Sequence, residues 1–231
     1  MSCSFKFDHF EEIFQKALDA GYEIVTLKQF FEHDYHSDKI LVNRIDVDFD
    51  PKRVCTMREI FDRLNIKGSF YFRLHSKDYN IFSFENYNII KELLDSNHEI
   101  GLHSEIIDFE KICGQDAGKT LSKEIELFEQ QFAFKMAGVA SHGDYTGYNN
   151  LDFWQNNNAP DFGLLYEAYD KKLWEHSFYI SDSLIKGWKS YTNGTLNEND
   201  HRCPCQVFND AHPVIYLLTH PFCFYWRHFH E

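Results

Sequence analysis

The sequence predicts an α/β protein in which strands and helices alternate around a parallel sheet or barrel. Two observations indicate this fold class: short apolar segments typical of strands alternate with segments whose apolar residues recur at helical spacing, and no linker, repeat or low-complexity tract divides the chain. The length agrees, because 231 residues bury one large core more readily than two small ones. We therefore expect a single domain.

The N-terminal segment predicts a helix followed by a strand. Apolar residues recur at helical spacing from Phe10 to Leu18 and Gly21 supplies a stop, so we expect a helix over residues 8–21. The short apolar run 23–27 then predicts a strand. A polar connection over residues 33–38 leads into the next strand.

That next strand carries three carboxylates. After an apolar run that starts at Lys39, Asp46, Asp48 and Asp50 alternate with apolar residues before Pro51. Successive side chains on a strand point to opposite faces, so the three carboxylates share one face. Like charges this close raise each other's pKa unless a cation lies between them. The pattern predicts a metal site or an acid/base pair, and the alternative is a polar strand end that runs into a loop.

The remainder of the chain continues the alternation. Apolar residues at helical spacing predict three more helices, over residues 54–64, 84–95 and 120–131. Short apolar and aromatic runs predict the other strands, over residues 69–73, 99–103, 136–140 and 214–218. Between residues 149 and 200 the pattern weakens into loops and short strands that are rich in aromatic residues.

Composition and charge exclude several partners and locations. With 36 acidic against 23 basic residues the net charge is -13, which repels nucleic acid and anionic membrane surfaces. The sequence contains no apolar run of the roughly 20 residues that a membrane span needs and no apolar secretion signal. We therefore expect a cytoplasmic protein whose six cysteines are thiols. Cys203 and Cys205 are too close for the usual zinc-knuckle spacing, so we expect a turn with two incidental thiols.

Several ionisable residues lie where predicted strands end. Asp46, Asp48, His103, His142 and His220 each stand at the C-terminal end of a predicted strand or just beyond it. In parallel α/β folds these ends share one rim, where the functional sites are built. A single histidine would more often be structural, but carboxylate and imidazole ligands together suit Zn²⁺ or another borderline divalent metal.

The order of the motifs resembles that of a known family. The motifs, in chain order, are Arg-x-Asp-x-Asp from Arg44, Gly-x-Phe-Tyr-Phe from Gly68, His-Glu-Ile-Gly-Leu-His-Ser from His98, Ser-His-Gly from Ser141, Ser-Asp-Ser ahead of Trp188, and Leu-Thr-His-Pro from Leu218. Residues 40–221 thereby resemble the polysaccharide deacetylase family, carbohydrate esterases with a chitooligosaccharide deacetylase homology domain. Within it the chain looks most like atypical members associated with lipopolysaccharide and capsule biosynthesis.

The resemblance implies a deformed (β/α) barrel and a metal-dependent hydrolase. The implied layout is an opening helix and strand over 1–38, a catalytic barrel over 39–221 and an aromatic tail over 222–231. The tail either covers the barrel or contributes to a homodimer. The implied substrate is a carbohydrate that carries an N-acetyl or similar acyl group, such as a precursor of a surface polysaccharide. Alternatives are a non-catalytic carbohydrate-binding barrel and a metal-independent hydrolase of other C-N bonds.

The resemblance also implies roles for individual residues. Asp46 would be the general base, Asp48 and His103 metal ligands, and His220 the acid that protonates the leaving amine, with Asp182 tuning that acid side. Ile107 stands where the family has a second histidine ligand, so His142 is the expected substitute and Glu105 the alternative. The residues expected to contact substrate are Arg44, Glu105, Tyr145 and Trp188. Arg44 has a second interpretation, since it could instead hold Asp46 ionised and oriented.

Overall fold

The computed structural model describes residues 3–184 and 187–226. The predicted aromatic tail is therefore described only as far as Trp226, and the rest of it, residues 227–231, lies outside the described residues.

The helices begin and end close to the predicted positions. Several carry N-terminal caps: Thr26 and Gln29 form a capping box at α2, and the side chains of Ser83 and Asp116 cap α4 and α6. The described helices are α1 (Phe7–Asp19), α2 (Leu27–Glu32), α3 (Lys52–Leu64), α4 (Phe84–Asp95), α5 (Ile106–Cys113), α6 (Ala117–Phe132), α7 (Lys171–Trp174) and α8 (Pro204–Val207). None of the helices in the described part of the chain has the length and apolar composition that a membrane span requires.

The strands form one mostly parallel sheet. They are β1 (Glu23–Val25), β2 (Ile40–Val47), β3 (Ser69–Phe72), β4 (Glu99–Ser104), β5 (Gly138–Ser141), β6 (Tyr166–Glu167), β7 (Phe178–Ser181), β8 (Lys189–Thr192), β9 (Thr195–Leu196) and β10 (Val214–Thr219). Their order is β6-β5-β4-β3-β2-β10-β7-β8-β9, with β1 also paired to β2. Only the β7–β8 and β8–β9 pairs are antiparallel among the described strands.

The sheet curls back on itself as a deformed barrel. Tyr216 in β10 lies five strands from β6 in the sheet order, yet its hydroxyl donates to the carbonyl of Ala168, just after β6, at 2.9 Å. Side chains from β2, β3, β5, β6, β7 and β10 pack into one interior cluster that includes Tyr71, Tyr166 and Tyr216. The helices cover the outer face, where Phe10, Phe14, Phe61 and Phe128 are fully buried. The α/β fold class and its deformed barrel are therefore confirmed.

The parallel register places the strand ends side by side. Val47 of β2 pairs with Phe72 of β3, and Phe72 pairs with Leu102 of β4. On the other side of β2, Thr219 of β10 pairs with Ile45. The residues that follow these strands therefore emerge at one edge of the barrel, as the sequence predicts.

The helices that were not predicted from sequence include α2 and α5, and one strand ends early. The strand expected over 23–27 stops at Val25 because Thr26 caps α2, which begins at Leu27. Helix α5 follows β4 almost at once, and Glu105 alone separates them. Both helices are too short to show a clear apolar period.

Candidate active site

The carboxyl edge of the barrel brings together the ionisable residues of four strands. Asp46 lies near the end of β2 and Asp48 directly after it; His103 lies at the end of β4, and His142 and His220 directly follow β5 and β10. Asp46, His103 and His220 are buried, and Asp48 and His142 are partly exposed. The predicted convergence on one edge is therefore present in the structure.

Asp48 lies at the centre of this group. Its Oδ1 atom lies 3.3 Å from His103 Nε2 and 3.7 Å from His142 Nε2. Its Oδ2 atom lies 3.8 Å from His220 Nε2. The rings of His103 and His142 meet edge to face with their centroids 4.9 Å apart. Both imidazoles thus present Nε2 to the same carboxylate oxygen.

The far side of each imidazole has its own hydrogen-bond acceptor nearby. The Nδ1–H of His103 donates to the carbonyl of Ala140 at 2.9 Å, so Nε2 is the ring nitrogen that faces the carboxylates and can act as a ligand once it loses its proton. Nδ1 of His142 lies 3.5 Å from Oε1 of Glu105. That carboxylate is itself held by Nη2 of Arg73 at 2.6 Å. A ligating histidine needs this kind of support on its second nitrogen.

These residues fit a divalent metal ion. Asp48, His103 and His142 each offer a ligand atom, and the three atoms lie within 4.8 Å of one another. Asp48 Oδ1 is buried and makes no well-oriented hydrogen bond in the described part of the chain. One carboxylate oxygen and two imidazole nitrogens with an open side are the donor set of hydrolytic zinc sites.

Asp46 is held by Arg44. Both of its oxygens accept from the guanidinium, at 2.9 Å from Nε and 2.7 Å from Nη2. Arg44 is fully buried, donates to the Tyr216 hydroxyl at 3.1 Å and lies over the Tyr169 ring. The sequence analysis expected Arg44 to contact substrate, and the structure corrects this. The guanidinium is enclosed in the barrel by Asp46, Tyr216 and Tyr169, so its role is to orient Asp46.

Asp182 and His220 form a second supported pair. The Nδ1–H of His220 donates to Asp182 Oδ1 at 2.5 Å, and the backbone N–H of His220 donates to Asp182 Oδ2 at 2.8 Å. Burial by itself would lower the pKa of His220, but the charge of Asp182 and this hydrogen bond raise that pKa to about 9. His220 is therefore a cation at neutral pH, with Nε2 turned towards Asp48.

The charges of the group shift the other pKa values in opposite directions. Burial opposes ionisation of Asp46 and Asp48, yet the neighbouring Arg44 and His103 respectively hold the pKa of each carboxyl below its usual range. The charges of Asp46 and Asp48 outweigh burial and raise the pKa of His103. Burial and the charge of His103 lower the pKa of His142 to about 4. Ionised carboxylates beside a neutral His142 suit metal binding.

The remaining residues that were predicted to contact substrate differ in their exposure at the site. Glu105 is buried behind His142 and bound to Arg73, so it supports that imidazole and does not face a substrate. Tyr145 lies in the loop after His142 and is 77% exposed. The expected contact of Trp188 with substrate is not found. The side chain is only 2% exposed, stacks on Phe5, and donates its indole N–H to Cys3. It therefore offers no face to a sugar.

Arg73, Asp108 and Asn150 support the site and were missed from sequence. Besides binding Glu105, Arg73 donates to the carbonyl of Asp48 at 3.3 Å. Asp108 accepts from the backbone N–H groups of Tyr145 and Thr146, and the amide of Asn150 donates to Asp108 at 2.8 Å and to the carbonyl of His142 at 3.2 Å. Arg73 is the last residue of a predicted strand that ends at the same edge, which is a signal that could have found it. Asp108 and Asn150 lie in segments without a pattern.

Comparison with known proteins gives matches in structure and none in sequence. No family profile and no curated protein matches the chain. Among solved structures it is similar to Streptococcus pyogenes deacetylase PplD in complex with acetate, with a TM-score of 0.45 and 13% identity over 62% of this chain and 67% of that one. It is also similar to IcaB from Ammonifex degensii, with a TM-score of 0.48 and 15% identity over 66% and 74% of the two chains.

Both TM-scores lie below 0.5, so the inference about function rests on the side chains of this protein.

Proposed function

We propose that this protein is a metal-dependent hydrolase that removes an N-acetyl or similar acyl group from a carbohydrate. The observation that carries the proposal is the approach of His103 Nε2 and His142 Nε2 to one oxygen of Asp48, at 3.3 and 3.7 Å. A held carboxylate, Asp46, and a held imidazole, His220, flank this group. Together they supply a metal site, a base and an acid, as amide hydrolysis requires.

Asp48, His103 and His142 are the side chains that would hold the metal, and Zn²⁺ is the ion that the donor set favours. When bound, a divalent ion lowers the pKa of water from about 16 towards 7 and polarises an acyl carbonyl. The carbonyl of Ala140 fixes the orientation of His103 from behind, and the carboxylate of Glu105 lies 3.5 Å behind Nδ1 of His142.

Asp46 is the proposed general base. Arg44 keeps its carboxylate ionised and in one orientation, and Asp46 Oδ2 lies 3.4 Å from His103 Nε2, at the inner side of the group. A carboxylate in this position accepts the proton of an attacking water. The bidentate ion pair also prevents the side chain from rotating out of reach.

His220 is the proposed general acid. Asp182 holds its Nδ1–H, so Nε2 faces the group and delivers a proton to the nitrogen of the leaving amine. The arrangement repeats the logic of an aspartate that orients a catalytic histidine. Asp46 lies in β2, the strand that Asp48 follows, and His220 directly follows the neighbouring strand β10.

The carbohydrate substrate rests on the motif resemblance and on exposed rings near the edge. Tyr145 and Tyr148 in the loop after β5 are 77% and 55% exposed, and Phe49, directly after Asp48, is 42% exposed. Flat rings stack well on the apolar faces of sugars. We propose a precursor of a surface polysaccharide as the class to test first.

The test combines metal content with acetate release from N-acetylated nucleotide sugars and oligosaccharides. Protein purified without chelator should contain Zn²⁺, and Asp48→Ala and His103→Ala should each lose the metal of this site together with activity. His220→Ala should keep the metal and lose turnover. Turnover by metal-free protein would show a metal-independent hydrolase, and sugar binding without acetate release by the metal-loaded protein would show a binding barrel; either result would refute the proposal.

A further inference from the structure

A second group of metal-ligand side chains lies around His9, at the start of α1. Nε2 of His9 lies 3.3 Å from the sulfur of Cys3 and 3.1 Å from the sulfur of Cys203. The ligand atoms of Cys3, His9 and Cys203 all lie within 4.8 Å of one another, and Cys205 forms a second group of this kind with His9 and Glu12. Three sulfurs therefore gather beside one imidazole, with no residue shared with the candidate active site.

The far side of the His9 ring is held as in a ligating histidine. Its Nδ1–H donates to Glu12 at 2.8 Å, so Nε2 is the ring nitrogen that faces the sulfurs of Cys3 and Cys203, where a metal would bind. Lys16, one turn further along α1, binds the other oxygen of Glu12 at 2.8 Å. This lysine balances the extra negative charge that three thiolates would leave around a divalent ion.

The indole of Trp188 completes the surroundings. Its N–H donates to the sulfur of Cys3 at 3.1 Å, and its ring stacks on Phe5 with the centroids 5.6 Å apart. N–H donors to a ligating sulfur are a common outer-sphere feature of thiolate metal sites. The conspicuous tryptophan of the Ser-Asp-Ser segment thus has a place in this second group.

The donor set selects the ion. Three cysteine sulfurs and one histidine nitrogen are a tetrahedral combination typical of structural zinc, whereas Mg²⁺ and Ca²⁺ require oxygen ligands. The spacing of a Cys-x-Cys pair is by itself too short for a zinc knuckle. Here Cys3 and His9 would supply the other two ligands from the opposite end of the chain. His9 and Cys203 are 194 positions apart in sequence.

We propose that Cys3, His9, Cys203 and Cys205 hold a structural Zn²⁺ ion that ties the start of α1 to the start of α8. The ion crosslinks two segments that are distant in sequence, so it stabilises the outer face of the barrel and takes no part in hydrolysis.

Cobalt substitution tests the site without any measurement of activity. The full-length reduced protein, stripped of metal and titrated with Co²⁺, should show the sulfur-to-cobalt charge-transfer absorption that only thiolate ligands produce. Cys3→Ser, at the surface, and His9→Gln should each weaken or abolish this band, and so should Cys203→Ser and Cys205→Ser. Cys113→Ser, an exposed cysteine outside the group, is the matched control and should leave it unchanged.

Asp48→Ala separates this site from the candidate active site, because that variant should lose the catalytic metal and keep the full thiolate band. Absence of the band in the reduced wild-type protein, or a band that persists unchanged in both Cys3→Ser and Cys203→Ser, would overturn the proposal. So would a disulfide between Cys3 and Cys203, detected by mass spectrometry in protein purified with a thiol reductant.

Discussion

At the residue scale, the orientation of each reacting side chain depends on a partner that the reaction itself does not use. Ala140 holds His103, Arg44 holds Asp46 and Asp182 holds His220, while Glu105 faces Nδ1 of His142 at 3.5 Å. Such partners reduce the number of orientations that must be lost when a ligand or substrate binds. Their removal is therefore expected to impair binding and geometry at the site, and removal of the buried Arg44 is expected to lower the stability of the fold as well.

The first prediction concerns Glu105, behind His142. Glu105→Gln should lower the affinity of the candidate active site for Zn²⁺ by about 10-fold, and Glu105→Leu by up to about 100-fold. The reason is that His142 loses the carboxylate that faces its Nδ1. A competition titration against a chromogenic chelator measures both. Glu124→Gln, which removes the partner of His75, is the control and should have no effect. Unchanged affinity in Glu105→Leu would contradict this positioning role.

The second prediction concerns the buried pair Arg44–Asp46. Arg44→Met should lower the free energy of unfolding by about 3–5 kcal/mol, because it leaves Asp46 buried and unpaired. Urea denaturation followed by circular dichroism measures the change. Arg202→Met removes a surface arginine that pairs with Asp200 and Asp210 and should cost less than about 1 kcal/mol. Equal effects of the two substitutions would show that the Arg44 pair is not critical.

At the scale of elements, the interior of the barrel depends on close approach between strands. Gly138 in β5 lies against the ring of Tyr166 in β6, and a Cβ atom at this glycine would lie 2.2 Å from that ring. The Tyr166 hydroxyl in turn bonds the hydroxyl of Tyr71 at 2.6 Å and the carboxyl of Glu99. A side chain at Gly138 would therefore disturb a hydrogen-bonded network that connects β3, β4 and β6.

The third prediction follows from this contact. Gly138→Ala should destabilise the protein by about 1–3 kcal/mol, because the tyrosine ring must move and break its hydrogen bonds. The shift of the thermal or urea midpoint measures it. Gly143→Ala is the matched control, since a Cβ atom there has no neighbour within 4 Å. A midpoint for Gly138→Ala that equals that of the control would mean that β5 and β6 separate without cost.

At the scale of the whole molecule, the curled sheet uses its aromatic residues mainly as core. Tyr71, Tyr166 and Tyr216 fill the interior, and phenylalanines such as Phe10, Phe61 and Phe128 fill the space between sheet and helices. Ionisable groups that are enclosed in this core make global stability depend on pH. The cytoplasmic location and the homodimer expected from sequence stay predictions.

The fourth prediction concerns His98, which precedes β4 and accepts from the backbone N–H of Gly68 at 3.2 Å. Burial and the charge of Lys67 lower the pKa of His98 to about 4 from an ordinary value of 6.5. Well above pH 6.5 the imidazole of His98 is neutral in both the folded and the unfolded state. As the pH falls from about 6.5 to 4, only the unfolded state gains the proton, so the stability contribution of neutral His98 is lost in that window.

The wild-type free energy of unfolding should therefore fall by up to about 3 kcal/mol more than that of His98→Asn between pH 7 and pH 4. Asparagine keeps a hydrogen-bond acceptor near the position of Nδ1 and cannot be protonated in this range. Urea denaturation at half-unit pH steps measures the difference, with the exposed His36→Asn as control. Parallel pH profiles for wild type and His98→Asn would show that His98 is not the group responsible.

The sequence by itself determined the local structure and the inventory of chemistry. Apolar period alone predicted α4 over residues 84–95, and the other long helices within a few residues, because a repeating buried face leaves a repeating pattern. The positions of Asp46, Asp48, His103, His142 and His220 at strand ends predicted one shared edge, because parallel strands align their ends. The short helices α2 and α5 left no such pattern.

Only the tertiary structure decided which side chains meet. His142 lies beside Asp48, with Glu105 behind its ring, and Arg44 is enclosed inside the barrel. Trp188 contacts Cys3 and does not line the substrate groove in which the sequence analysis expected it. The tertiary structure also brought Cys203 to His9, 194 positions away in sequence. Each of these contacts depends on how the sheet curls and which faces its closure buries, and these depend on the packing of the entire chain and leave no periodic trace in a local segment.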